Sequence, residues 1–127
     1  LLADLLVTIT DDLGLTAEGE PPPPLVALAL DDPELAEAVA GCELLVNATA
    51  LGWREGETPL PDPPVGPHAL VYDMVYRPTR LLAEAAARGA AIRDGLGMLV
   101  RQGALALARW SGLEPPIEVM EAALRGA

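Results

Sequence analysis

Four short apolar runs alternating with helical segments constrain this chain more than any other feature. The runs are Leu25–Leu30 (LVALAL), Cys42–Asn47 (CELLVN), Leu70–Asp73 (LVYD) and Ala90–Arg93 (AAIR). Each has the length of a buried strand, and the stretches between and after them carry helical spacing or turn residues. Such alternation builds βα units, so the expected fold class is α/β with a mostly parallel sheet. Open parallel sheets bind ligands outside the carboxyl ends of their strands. Chemistry is therefore to be sought in Asn47–Gly52, Asp73–Pro78 and Asp94–Gln102.

Local signals delimit the helices. Asp32 reads as an N-cap, Pro33 as the first helical position and Glu34 as a first-turn acid, with Gly41 as a left-handed cap at the other end. Leu81–Arg88 (LLAEAAAR) is Ala-rich and closed by Gly89. From Gly97 to Trp110 the spacing predicts a helix carrying Leu99, Val100, Gly103, Leu107 and Trp110 along one face. Gly112 and Pro115-Pro116 break it, and Ile117–Arg125 follows with Ile117, Met120 and Leu124 on one side. Upstream, Ala17–Pro24 holds four successive prolines and reads as a loop. Leu1–Leu15 mixes helical leucine spacing with β-branched Val7–Thr10, and is read as a helix ending near Asp11. Thr49–His68 is rich in Gly and Pro and shows no period. Loops beyond about 12–15 residues are uncommon unless functional, which makes this one a candidate site element.

Composition narrows the function. With 127 residues, 51% of them hydrophobic, the chain suits one domain with a real core. A net charge of −11 repels phosphate backbones and argues against nucleic acid. No apolar run approaches the roughly 20 residues of a membrane span. No basic segment leads into an apolar stretch with a cleavage site, so a cytoplasmic location is expected. Cys42 stands alone and His68 has no second histidine, which argues against a disulfide, a metal site or a catalytic triad. Cys42 and Trp53 read as packing residues. All eight basic residues are arginines, so no lysine is available as a proton donor or Schiff-base former.

Several strings occur in a recognisable order. Leu44–Gly52 reads LLVNATALG, a version of V-N-A-T-x-x-G, and Pro59–Pro61 (PLP) follows it. Val71–Pro78 (VYDMVYRP) fits V-x-D-x-x-Y-x-P, and Asp94–Gln102 (DGLGMLVRQ) fits G-x-x-M-L-x-x-Q. Trp110-Ser111-Gly112 and Pro115-Pro116 close the series. Each string alone is weak; together, in order over Leu25–Ala127, they resemble the shikimate dehydrogenase family. The resemblance implies a partial Rossmann-like, doubly wound parallel sheet with C-terminal helices over 96–127. It makes residues 1–127 the C-terminal part of an NADP-binding domain, lacking the N-terminal substrate domain and the Gly-rich loop. The chain is then expected to begin inside the helix that follows the family's 2′-phosphate signature.

The resemblance also implies roles. Asn47, Thr49, Gly52, Met74, Gly95 and Met98 would lie on the NADP cofactor, Gly52 by letting the backbone approach it. Tyr76 and Gln102 would hold the small-molecule substrate through a phenol and an amide that both donate and accept. Asp73 matches a family aspartate, and orienting its loop explains it as well as any direct role. The catalytic lysine and aspartate of the family lie in its N-terminal domain, so no catalytic residue is expected here. The implied reaction is NADPH-dependent reduction of 3-dehydroshikimate to shikimate in aromatic amino-acid biosynthesis by a longer parent protein. A homodimer is one assembly it allows, and the chain alone is expected to be inactive. Two local departures stand out. Trp53 follows Leu51-Gly52 where the family has Met, and the stretch after Pro78 is shorter than usual. The alternatives are a quinate dehydrogenase or related oxidoreductase, and a non-catalytic binding module derived from the fold.

Overall fold

Three parallel strands lie side by side in the order of the chain: β1 (Leu44–Asn47), β2 (Leu70–Asp73) and β3 (Ala91–Arg93). The computed structural model describes residues 26–126. Leu44 aligns with Leu70 and Asn47 with Asp73, while Leu70 aligns with Ala91. The α/β class with a parallel sheet is therefore what the sequence pattern leads one to expect. Parallel neighbours need a crossover. Between β1 and β2 it is the long loop; between β2 and β3 it is helix α2 (Arg80–Ala87).

One face of the sheet is packed. Val71 at its centre is fully buried among Val39 of α1 (Leu35–Ala40), Leu81, Leu82 and Ala85 of α2, and Val65 and Ala69 from the loop. Burying aliphatic side chains of this size stabilises by roughly 1.5–3 kcal/mol each. The loop is tied down as well. Glu84 accepts from the Asp62 amide at 2.7 Å, and the Asp62 carboxylate takes the Arg88 guanidinium at 2.7 Å. Asp62 holds φ +49 here, the one non-glycine with positive φ among the described residues.

Thr79 starts α2 from an extended backbone, its hydroxyl accepting from Leu82 N, and Gly89 closes the turn at φ +87. Helix α3 (Leu96–Ser111) leaves the end of β3 and ends at Gly112 in the left-handed conformation. It leans on α4 (Ile117–Arg125), with Gly103 lying under the Met120 side chain. No described helix is long and apolar enough to cross a membrane.

Four expectations are corrected. Val26–Leu30 forms no strand, with Val26 and Leu30 exposed and Leu28 half-buried; among the described residues it pairs with no strand. Asp32 caps a turn that precedes the helix, accepting from Glu34 N at 2.9 Å, and α1 begins only at Leu35. Gly41 closes α1 at φ −91, a right-handed conformation. The buried stripe of α3 is Leu96, Val100 and Ala104; of the expected face only Val100 belongs to it, and Trp110 is 84% exposed. Residue size misled there, because the inward positions include a small alanine. The readings for Leu1–Leu15, Ala17–Pro24 and Leu25 lie outside the described residues.

Candidate functional site at the carboxyl ends of the strands

β1 and β2 end on a buried polar pair. The Asn47 amide donates to Asp73 Oδ1 at 2.9 Å and to Leu51 O at 3.1 Å. Its oxygen accepts from the Thr49 amide at 3.0 Å and the Thr49 hydroxyl at 2.7 Å. All four hydrogen-bonding positions of the side chain are thus occupied. Asn47 shapes the loop and has no side-chain donor left for a ligand.

Asp73 is fully buried with no cation beside it, which is costly unless the charge is well solvated by donors. Three surround it: Asn47 Nδ2, the Val75 amide at 3.0 Å and the Thr79 hydroxyl at 2.7 Å. Thr79 in turn caps α2 through Leu82 N. A continuous chain of hydrogen bonds therefore joins the loop after β1, the loop after β2 and the start of α2. No buried side-chain polar atom among the described residues lacks a partner.

Two glycines bring backbones together. Gly52 has φ +117, and a Cβ there would sit 3.2 Å from Thr79 Cγ2. Its glycine is required by Thr79 and Val75 within the chain, a different reason from the cofactor approach read from the sequence. Gly95 has an ordinary φ of −77, but a Cβ would overlap the backbone carbonyl of Met74. The start of α3 is pressed against the loop after β2, and Gly95 N donates to Val75 O at 3.2 Å. Asp94 fixes the same turn by accepting from Leu96 N at 3.1 Å. Asn47, Thr49, Gly52, Met74 and Gly95 therefore share one rim.

Met98 and Gln102 extend that rim along α3. They line a groove of about 640 Å³ over the unpacked sheet face, together with Leu70, Tyr72, Arg101 and Arg125. Glu121 at its edge is hydrogen-bonded by Arg125 at 2.8 Å, which holds its carboxyl below the usual range and raises the guanidinium. Tyr76 does not line this groove. Its ring meets Trp53 edge to face, with centroids 4.8 Å apart and planes at 79°. Arg77 bonds the Trp53 carbonyl at 3.0 Å. The structure therefore does not bring Tyr76 and Gln102 into one groove. No cluster of three or more metal-ligating side chains occurs among the described residues.

Residues 95–125, which include Gly95, Met98 and Gln102, match the family model described as the shikimate 5'-dehydrogenase C-terminal domain. A shikimate dehydrogenase (NADP(+)) from Halorubrum lacusprofundi is 48% identical over 99 residues, covering 76% of this chain and 35% of that protein. The chain is a relative of the shikimate dehydrogenases. A solved shikimate dehydrogenase from Thermus thermophilus, in complex with NADP(H) and shikimate, superposes with a TM-score of 0.67 at 36% identity. That match covers 94% of this chain and 41% of the other. Quinate dehydrogenase from Corynebacterium glutamicum, in complex with NAD, gives 0.64 at 28% identity over 73% of this chain and 34% of that one. The chain spans 34% to 39% of the length of these curated relatives.

Against that family background, two features escaped sequence reasoning. Thr79 opens the Thr79-Arg80-Leu81-Leu82 stretch, short in its spacing after Pro78, but nothing in that string marks it as the link between Asp73 and α2. The Trp53–Tyr76 pair had a signal: tryptophan stands where shikimate dehydrogenases have methionine after Leu-Gly. Its significance needed the fold, since the two rings come from different loops.

Proposed function

We propose that the protein carrying this chain is an NADP-dependent shikimate dehydrogenase, reducing the ring ketone of 3-dehydroshikimate to shikimate in aromatic amino-acid biosynthesis. The observation that carries this reading is the rim itself, where Asn47–Asp73–Thr79 and the Gly95–Met74 contact lock three loops at the carboxyl ends of parallel strands. The chain fits the cofactor's nicotinamide end. Met74, 38% exposed beside Gly95, and half-buried Met98 offer polarizable surface for a flat ring, and Thr49, its hydroxyl already bonded to Asn47 and to Leu51 N, keeps one acceptor position beside them. NADPH, when bound, supplies the hydride. Asn47 and Gly52 hold the shape of that wall.

Tyr76 and Gln102 bind the ring substrate from two sides. Both side chains are exposed, and neither the phenol nor the amide has a hydrogen-bond partner among the described residues. Holding both reactants in place can lower a barrier by several kcal/mol, up to about 7–11. Proton transfer falls to residues outside this lysine-free chain, so the 127 residues alone are inactive. A cytoplasmic enzyme with small-molecule partners follows from the same reading. Its test is NADPH oxidation by 3-dehydroshikimate with the complete protein. Gln102→Ala and Tyr76→Phe should raise the KM of the ring acid; kinetic constants unchanged in both would refute the site. The likeness to a quinate dehydrogenase supports quinate oxidation as the second reading, separated by the ratio of kcat/KM for the two acids.

A further inference from the structure

From the Trp53–Tyr76 geometry we infer that Trp53 is a positioning residue, fixing the direction in which Tyr76 presents its hydroxyl to the ring substrate. The inference rests on the dehydrogenase reading of the site and deepens it. Tyr76 follows β2 on an exposed loop, where a phenol has two rotatable torsions and little else to hold it. At 44% exposure it belongs to no core cluster, and Trp53, at 42%, does not either. Yet the rings meet at 4.8 Å and 79°, the edge-to-face arrangement that aromatic quadrupoles favour.

Trp53 is itself anchored, which a passive surface contact would not require. Gly52 before it is buried against Val75 and Thr79 at a backbone conformation that side chains rarely adopt. Arg77, the residue after Tyr76, donates to the Trp53 carbonyl at 3.0 Å. The two loops are therefore joined on both sides of the aromatic pair, by a guanidinium–carbonyl bond and by the Gly52–Thr79 contact. The ring is steadied while its hydroxyl stays open to a ligand. Methionine at position 53 has no ring edge or face to offer and three flexible torsions, so it would hold Tyr76 less well.

The test uses the complete protein and steady-state kinetics for ring acid and cofactor separately. Edge-to-face pairs correspond to roughly threefold to tenfold in an equilibrium constant. Trp53→Ala should raise the KM of the ring acid by about that factor, with the KM of NADPH unchanged. Trp53→Phe, which keeps a ring, should restore most of it. In a Tyr76→Ala background the same Trp53→Ala substitution should add nothing, because its effect runs through the phenol. An equal loss in both backgrounds, or no loss in either, overturns the inference while leaving the dehydrogenase assignment intact. An unsubstituted protein that turns over neither dehydroshikimate nor quinate overturns both. A Trp53→Ala protein whose KM values for both ligands rise together also overturns it, since that marks general loosening of the loop.

Discussion

Replacing Gly95 with alanine places a methyl group where the Met74 carbonyl already sits. The backbone angle is no obstacle, since φ is −77, so alanine would by conformation alone stabilise by about 0.4–1 kcal/mol through the unfolded chain. The overlap opposes this. It is with backbone, which cannot rotate away as a side chain can, and overpacking of this kind costs about 1–3 kcal/mol. The overlap wins, for a net loss of roughly 1–2 kcal/mol. Gly97, two residues on, should behave in the opposite way. A Cβ there meets only the end of Arg101, at 3.1 Å, and a flexible guanidinium can step aside. Removing a helical glycine then gives a gain of about 0.5 kcal/mol. Urea unfolding of the two variants by circular dichroism should place their midpoints on either side of the parent, roughly 1 M apart with equal slopes. Midpoints that move together, or a Gly95→Ala protein as stable as the parent, would refute the argument that contact geometry, and not glycine's flexibility, decides at position 95.

Other perturbations follow from the same contacts. Asp73→Ala leaves three buried donors without an acceptor and should cost roughly 3 kcal/mol in urea unfolding. Asp73→Asn keeps a carbonyl for part of that set and should cost less than half as much; equal losses would mean that volume, and not hydrogen bonding, matters there. Thr79→Val removes the α2 cap and should cost about 1–2 kcal/mol, whereas Thr79→Ser keeps the hydroxyl and should cost a fraction of that. Glu84 has its pKa lowered below 4.5, first by the Arg80 side-chain bond and then by the Asp62 amide. A depressed carboxyl stabilises above its unfolded pKa and loses that contribution as pH falls through the folded value. The melting difference between the parent and Glu84→Gln should therefore be present at about pH 7 and vanish in acid; a gap that persists in acid would contradict it.

Local pattern was enough for much of this protein. The α/β class, the bounds of β2 and α4, and the long loop after β1 were legible because periodicity, turn residues and glycine stops act within a few residues of one another. The carboxyl-end loops were legible as site candidates for the same reason. Tertiary structure alone decided that Val26–Leu30 is not a strand, because a strand exists only with a neighbour to bond. It occupied the Asn47 side chain with the support of its loop, with a partner at Asp73 that lies 26 residues away. It gave Gly52 and Gly95 their reasons, both lying in what approaches from another segment. It also paired Trp53 with Tyr76 and left Tyr76 out of the groove that Gln102 lines. In each case the deciding force acts across loops that only folding brings within a few ångströms, a distance no stretch of sequence encodes on its own.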